Sequence, residues 1–94
     1  MKNADAQDIF QLPAVLTIAD ADALHEKLLT LQTQSTPTID ASQVERIDTA
    51  AFQQLLAFKL SLVNTDNQLH WQGLSEVFMQ SAKQLGLERA LSLA

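Results

Sequence analysis

The sequence predicts an α/β fold, with a small, mostly parallel sheet of about four strands and with helices mainly on one side. Short apolar segments alternate along the 94 residues with longer stretches whose apolar residues recur at helical spacing. Such alternation is typical of parallel strands, because each helix returns the chain across one face of the sheet. With 47% hydrophobic residues, the chain has enough apolar material for one core. We therefore expect a single domain over residues 1–94.

The first half of the chain predicts two short strands and one helix. Ile9 to Leu12 is a strand candidate that ends at Pro13, and Val15 to Ile18 is a second extended segment. Asp20 is suited to begin a helix as its N-cap, and the helix is expected to end near Gln34. The apolar stripe of this helix comprises Leu24, Leu28 and Leu31.

The second half predicts a strand, a long helix, another strand and a third helix. The strands are expected at Thr38 to Asp40 and, with alternating polarity, at Gln68 to Gln72. Asn64 to Asn67 supply the turn that ends the long helix. Ser75 is a candidate N-cap for the third helix, and Gly86 is placed to end it. The predicted apolar residues are Phe52, Leu55, Leu56, Leu60 and Val63 on the long helix, and Val77, Phe78, Ala82 and Leu85 on the third.

Composition argues against several classes of partner and location. The chain has 11 acidic and 6 basic residues, a formal charge of -5, and its basic residues are scattered, so we expect no nucleic-acid partner. No apolar run is long enough for a membrane span, and the N-terminus has no apolar region of the secretory type. We expect a soluble cytoplasmic protein without direct membrane insertion. Without cysteine, the sequence offers no disulfide, thiolate metal site or thiol nucleophile.

Candidate catalytic and metal-binding residues are few. Asp40 and Asp48 resemble an acid–base pair, but solvated strand ends are the favoured interpretation, because catalytic use requires a cleft and a perturbed pKa. His25 and His70 lack the spacing of metal ligands, and we interpret both as surface residues. No Gly-rich phosphate loop or Ser-His-Asp grouping is present. We therefore expect a protein that is not an enzyme and that has no metal or other cofactor.

The most informative segment runs from Ile39 to Lys59, with the sequence IDASQVERIDTAAFQQLLAFK. It reads as a short strand, an acidic turn, a hydroxyl and an amphipathic helix, and it resembles the central motif of STAS domains, the anti-sigma-factor-antagonist family. That motif is a strand, Asp-Leu-Ser, a short turn, Asp-Ser-Ser-Gly and a helix, with the second serine as the usual phosphorylation site. The corresponding residues here are Asp48, Thr49, Ala50, Ala51 and Phe52. Ala50 therefore replaces the usual acceptor, and Thr49 supplies the remaining hydroxyl.

The resemblance covers nearly the whole chain and implies the STAS fold. It also implies a non-enzymatic bacterial regulatory domain that acts by protein–protein interaction, as in anti-anti-sigma-like partner switching within a signalling or chemotaxis cluster. The implied partner is an anti-sigma factor, a kinase-like regulator or a chemotaxis component, contacted through the turn at the start of the second helix. The residues expected to dock the partner are Asp48, Thr49, Ala50, Ala51 and Gln53. Thr49 is in addition the candidate phospho-acceptor.

Several alternatives remain open at this point. Thr49 could serve only as a helix N-cap or a turn hydroxyl, and Asp48 could either bond to the turn or form part of an acidic docking rim. The Asp-Thr arrangement also resembles the STAS subunit of the ABC-type phospholipid transport complex that maintains outer-membrane lipid asymmetry, where the threonine matters for function. A third alternative is a homo-oligomerising module. Only seven residues precede Asp8, so the family's first strand is expected to be truncated, and the edge at Ile9 to Leu12 could pair in a homodimer.

Overall fold

The computed structural model describes residues 9–32, 37–62 and 69–93, which fold into a mixed α/β structure with parallel sheets and three helices. The predicted fold class is thereby confirmed. The strands are β1 Ile9–Gln11, β2 Val15–Leu16, β3 Thr38–Ala41, β4 Arg46–Ile47 and β5 His70–Leu74. The helices are α1 Ala21–Leu31, α2 Thr49–Ser61 and α3 Glu76–Gln84, and a 3₁₀ turn, Ile18–Asp20, precedes α1.

The described strands form two parallel sheets instead of the single four-stranded sheet that the sequence predicted. One sheet has the order β1-β3-β5, and the other pairs β2 with β4. Gln11 pairs with Asp40 and Val15 pairs with Arg46, so the chain between Asp40 and Arg46 is two residues longer than the chain between Gln11 and Val15. The two extra residues are accommodated in a bulged turn at 42–45. β4 was not predicted, because a two-residue strand has no periodicity to detect.

Hydrogen bonds connect the two sheets across this bulge. The Leu12 N–H donates to the Asp40 carbonyl at 2.9 Å, and the Glu45 N–H donates to the Ala14 carbonyl at 2.7 Å. β2 therefore extends β1, and β4 extends β3, beyond the bulged turn. The Val15 to Ile18 prediction is corrected at its end, since Ile18 begins the 3₁₀ turn.

α1 and α2 lie side by side. The strand order β1-β3-β5 makes both crossovers run in the same direction, and right-handed crossovers then place α1 and α2 on the same face of the sheet. The two helices contact each other directly. α3 joins the core through Phe78, whose ring centroid lies 5.1 Å from that of Phe52 and 5.4 Å from that of Trp71.

The apolar stripe predicted for α1 is confirmed, whereas the one predicted for α2 is partly wrong. Leu24, Leu28 and Leu31 are all buried. On α2, Leu56 is only half-buried and Leu60 is 56% exposed. The buried residues of α2 and its C-cap are Ala51, Phe52, Leu55, Phe58 and Leu62. α2 carries apolar residues on nearly all sides, so the sequence does not single out the face that meets the core.

α3 begins and ends as the sequence predicts. The Ser75 hydroxyl accepts a hydrogen bond from the Phe78 N–H at 3.0 Å, which makes Ser75 the N-cap. Gly86 has a φ of 71°, and hydrogen bonds from the Gly86 N–H to Lys83 and from the Leu87 N–H to Ala82 complete a Schellman motif. The predicted stripe is too wide, however, since Val77 and Leu85 are exposed.

The segment that follows α3 completes the core, which the sequence did not predict. Leu91 is fully buried, and its carbonyl accepts a hydrogen bond of 2.8 Å from the Trp71 indole N–H. The bond satisfies the one polar atom of a half-buried indole. The C-terminal segment is thereby tied to β5. Several predictions fall outside the described residues, namely the truncated first strand, the end of α1 near Gln34, the place of Val63 on the apolar face of α2, the turn at Asn64 to Asn67 and the start of the last strand at Gln68.

Candidate functional site

Two turns meet at the carboxyl ends of β2 and β4. β2 leads into the 3₁₀ turn, and β4 leads through Asp48 into α2. Because β2 and β4 are parallel neighbours, both connections leave the sheet at the same edge. The Asp48 N–H donates to the Leu16 carbonyl at 2.9 Å, which continues the ladder to the start of α2. The predicted docking residues begin at this point.

Asp48 joins the two turns. Its backbone is extended, as an N-cap requires, but its side chain makes no capping bond to α2. Instead, its Oδ2 atom accepts a hydrogen bond of 3.1 Å from the N–H of Ile18, a residue 30 positions earlier. The sequence left open whether Asp48 bonds to a turn or forms part of an acidic docking rim. The structure shows a hydrogen bond to a turn, but this is the 3₁₀ turn after β2 and not the turn that begins α2.

Thr49 is the first residue of α2, and its side chain is exposed. It is not the N-cap, because Asp48 occupies that position, so the interpretation of Thr49 as a helix N-cap is wrong. Within the described part of the chain, the Thr49 hydroxyl has no intramolecular hydrogen bond. The hydroxyl is therefore accessible at the beginning of a helix, where backbone N–H groups and the helix dipole favour negative charge.

The other predicted docking residues divide between surface and core. Gln53 is exposed and Ala50 is half-buried, so both can contribute to a surface beside Thr49. Ala51 is buried in the core at 1% exposure. The expectation that Ala51 lies on the docking surface is therefore wrong, because Ala51 belongs with Phe52 to the buried residues of α2.

The 3₁₀ turn is fixed by its own side chains and was not predicted from the sequence. The Asp20 Oδ2 atom accepts hydrogen bonds from the Thr17 N–H at 2.8 Å and from the Thr17 hydroxyl at 3.1 Å. Asp20 occupies the N-cap position of α1 as predicted, but its carboxylate bonds backward to Thr17 and makes no capping hydrogen bond to that helix. Between them, Ile18 is exposed. The Thr-x-x-Asp spacing resembles a capping box, and this pattern could have predicted the turn from the sequence.

Asp40 is buried, and the prediction of a solvated strand end is wrong for this residue. Only 8% of Asp40 is exposed. Its Oδ1 atom accepts a hydrogen bond of 2.8 Å from the Ser42 N–H, and the Gln72 amide lies 3.4 Å from Oδ2. Hydrogen bonds from Ser42, through its side chain and its backbone, and then from Gln72 hold the pKa of the Asp40 carboxyl below its ordinary value, against the opposing effect of burial.

Asp40 is held this closely because β5 has a glycine beside it. A Cβ atom at Gly73 would lie 2.9 Å from the Asp40 Oδ1 atom and 3.0 Å from the Ser42 Cβ atom. The register of β3 and β5 also shifts at this point, where Asp40 pairs with Gly73. The carboxylate therefore fastens the bulged turn at 42–45 to β5, and it has a structural role.

The two aspartates do not share a site. Asp40 bonds to Ser42 and Gln72, whereas Asp48 bonds to Ile18. Both histidines are exposed, as predicted, and the His25 Nδ1 atom lies 3.3 Å from the Gln54 Oε1 atom. Over residues 9–32, 37–62 and 69–93, no group of three or more His, Asp or Glu side chains is placed to hold a metal ion.

Comparison with known families decides the classification of the chain. A family model described as "Mlab, STAS domain" matches residues 2–93. The chain belongs to the STAS domain family. Proteins of this family are generally non-catalytic and commonly mediate protein–protein interactions. No curated protein matches the chain significantly.

A solved structure shows the same fold. The STAS chain is similar to the crystal structure of a sulfate transporter family protein from Wolinella succinogenes, with a TM-score of 0.75 and 18% sequence identity. The match covers 97% of this chain and 75% of the other. In the described ranges, every helix is too short or too polar to cross a membrane.

Proposed function

We propose that this STAS domain is a non-enzymatic bacterial regulator that docks a protein partner through the start of α2. The docking surface comprises Asp48, Thr49, Ala50 and Gln53, and we refer to it as the α2 surface. The observation that carries the proposal is the exposed Thr49 hydroxyl at the first position of α2, without an intramolecular hydrogen bond in the described part of the chain.

The geometry of the α2 surface suits a docking role. It lies where the connections leave the carboxyl ends of parallel strands, and loops positioned by a rigid scaffold commonly carry function. The Asp48 carboxylate is already held by Ile18, so this part of the surface loses little conformational freedom on binding. Ala50 is small, and its short side chain allows a partner to approach the backbone of α2 closely.

The same position allows binding to be switched by charge. A phosphate on Thr49 would add about two negative charges, which the N-terminus of α2 can accommodate. The added charge would also lie beside Asp48 and would disrupt a tightly packed apolar contact with the partner at this position. We propose Thr49 as the phospho-acceptor in anti-anti-sigma-like partner switching, with an anti-sigma factor, a kinase-like regulator or a chemotaxis component as the partner.

A second candidate function uses the same surface. The chain could serve as the STAS subunit of an ABC-type phospholipid transport complex, with the transporter subunit as its partner. The observation that favours this function is the replacement of the usual acceptor serine by Ala50, which leaves Thr49 as the functional hydroxyl. In that case Thr49 contacts the transporter subunit and is not modified.

A pull-down with the purified products of neighbouring genes tests the proposal. Wild type and Thr49→Ala are expected to retain the partner, while Thr49→Glu loses it because it adds charge at a close contact. Leu60→Ser, at the opposite end of α2, is the matched control and is expected to bind normally. If Leu60→Ser abolishes binding while both Thr49 variants bind like wild type, the docking surface is elsewhere. The identity of the retained protein, regulator or transporter subunit, selects between the two functions.

A further inference from the structure

We propose that the 3₁₀ turn is the second half of the docking surface and that Ile18 inserts into an apolar pocket of the partner protein bordered by lysine and arginine side chains. The inference rests on the proposed function, since it concerns the same edge of the molecule. It adds an anchor residue that the family motif does not contain, and it specifies the chemistry of the partner.

The exposure of Ile18 favours a role as an anchor. Its side chain is 72% exposed, more than any other large hydrophobic side chain in the described ranges. Leu16, two positions earlier, is buried, so the chain places one apolar residue in the core and the next in solvent. Burial of apolar surface is the main driving force of protein association. A side chain in this position gains that contribution only when a partner covers it.

The turn that carries Ile18 is held in place by hydrogen bonds. Its N–H is held by the Asp48 carboxylate, and the flanking Thr17 and Asp20 are joined by three hydrogen bonds of 2.8, 2.8 and 3.1 Å. A side chain on a fixed backbone loses little conformational freedom when it is bound. The side chains that dominate binding energy typically fill well-packed pockets near the centre of an interface.

The charge around Ile18 is negative. The two segments that meet here, residues 17–22 and 47–49, carry three carboxylates and no basic side chain. The carboxylates belong to Asp20, Asp22 and Asp48. An acidic border around Ile18 favours a basic partner surface, because complementary charges accelerate association and like charges oppose it. The same argument disfavours a second copy of this chain, whose acidic border would face itself.

Site-specific photo-crosslinking in the cells that make the protein locates the contact. A photoreactive amino acid is placed singly at position 18, at position 53 on the α2 surface, and at position 60 as the control. Position 60 lies 11 residues along α2 from Thr49, which corresponds to about 16 Å at 1.5 Å per residue. We expect the same protein to be crosslinked from positions 18 and 53 and none from position 60.

The other crosslinking results test the role of Ile18 and the role of the α2 surface separately. A product from position 53 alone overturns the role of Ile18 and leaves the proposed function intact. A product from position 18 alone keeps the anchor and removes the start of α2 from the docking surface. Products from position 60 alone, or from no position, contradict both. A crosslink from position 18 to a second copy of the chain overturns the basic partner.

Affinity measurements with the crosslinked protein, once purified, test the anchor and the charge separately. Ile18→Ser is expected to weaken binding at least about 10-fold, whereas Leu60→Ser, which removes a similarly exposed side chain, changes it less than about twofold. A basic pocket border further predicts that the association rate falls as salt is raised. Equal affinity of Ile18→Ser and wild type overturns the anchor, and a salt-independent association rate overturns the basic border.

Discussion

At the scale of single residues, two aspartates of similar sequence context have different structural roles. Asp40 is buried and fastens the bulged turn to β5, whereas Asp48 is half-buried and holds the 3₁₀ turn. Neither caps a helix with its side chain. Both carboxylates accept a hydrogen bond from a backbone N–H, but only Asp48 holds a turn of the docking edge.

Asp48→Ala tests the bond between the two turns. The variant leaves the Ile18 N–H without its acceptor, and we expect the free energy of unfolding to fall by about 1 kcal/mol, as for a partly exposed hydrogen bond. Asp48→Asn retains an acceptor oxygen and is expected to change stability by less than half as much. Urea denaturation followed by circular dichroism measures both. Equal losses for the two variants would show that the charge, and not the acceptor, is what stabilises the turn.

The Asp40 carboxyl predicts a pH dependence of stability. Its pKa is lower in the folded chain than its ordinary value of 3.8, so its stabilising contribution is present above that value and is lost as the pH falls through the lower, folded pKa. We expect the free energy of unfolding to decrease from about pH 4 toward about pH 2. Asp40→Asn removes the titrating group and is expected to flatten this slope. An unchanged slope in Asp40→Asn would assign the acid sensitivity to other carboxylates.

At the scale of elements, predictability from sequence depends on how local the determining contacts are. The cap at Ser75 and the stop at Gly86 were predictable because the residues that form these bonds lie within five positions of each other. The buried state of Asp40 was not, because it depends on the close approach of Gly73 from another strand. The same holds for Ile18, whose fixed position depends on Asp48, 30 residues away.

The burial of α2 provides a matched pair of leucine variants. Leu55 is fully buried, so Leu55→Ala is expected to lower the free energy of unfolding by about 2–5 kcal/mol through the cavity it leaves. Leu60 is exposed, so Leu60→Ala is expected to change it by less than about 0.5 kcal/mol. Denaturant unfolding measures both. Comparable losses would mean that α2 buries the face originally predicted from the sequence.

The end of α3 depends on a left-handed residue. Gly86→Ala introduces a Cβ atom at a φ of 71°, and we expect it to cost about 1 kcal/mol, whereas Gly86→Asn costs less because asparagine tolerates this conformation better. No atom lies within 4 Å of a Cβ built at Gly86, so backbone strain is the only expected cause. Thermal unfolding of the two variants gives the comparison. A larger loss for asparagine than for alanine would contradict the role of the left-handed conformation.

At the scale of the whole molecule, the strand β1 offers an apolar sheet edge for self-association. β1 is a terminal strand in the order β1-β3-β5, and Ile9 on it is exposed. A homodimer that pairs two β1 edges remains our proposal for self-association, although Pro13 interrupts the edge after a short run. Light scattering over a concentration series measures the mass. Ile9→Lys is expected to shift any dimer toward monomer, and an unchanged mass would place the self-association elsewhere.

The central claim is that this STAS domain docks a partner protein through the start of α2 and the adjoining 3₁₀ turn. The most direct measurement is an NMR titration of the isotope-labelled chain with the protein captured in the crosslinking experiment. We expect the largest shift changes and line broadening on Ile18, Asp48, Thr49 and Gln53. Changes concentrated on Leu60 or on the exposed residues of α3, with the signals of Thr49 and Ile18 unmoved, would contradict it.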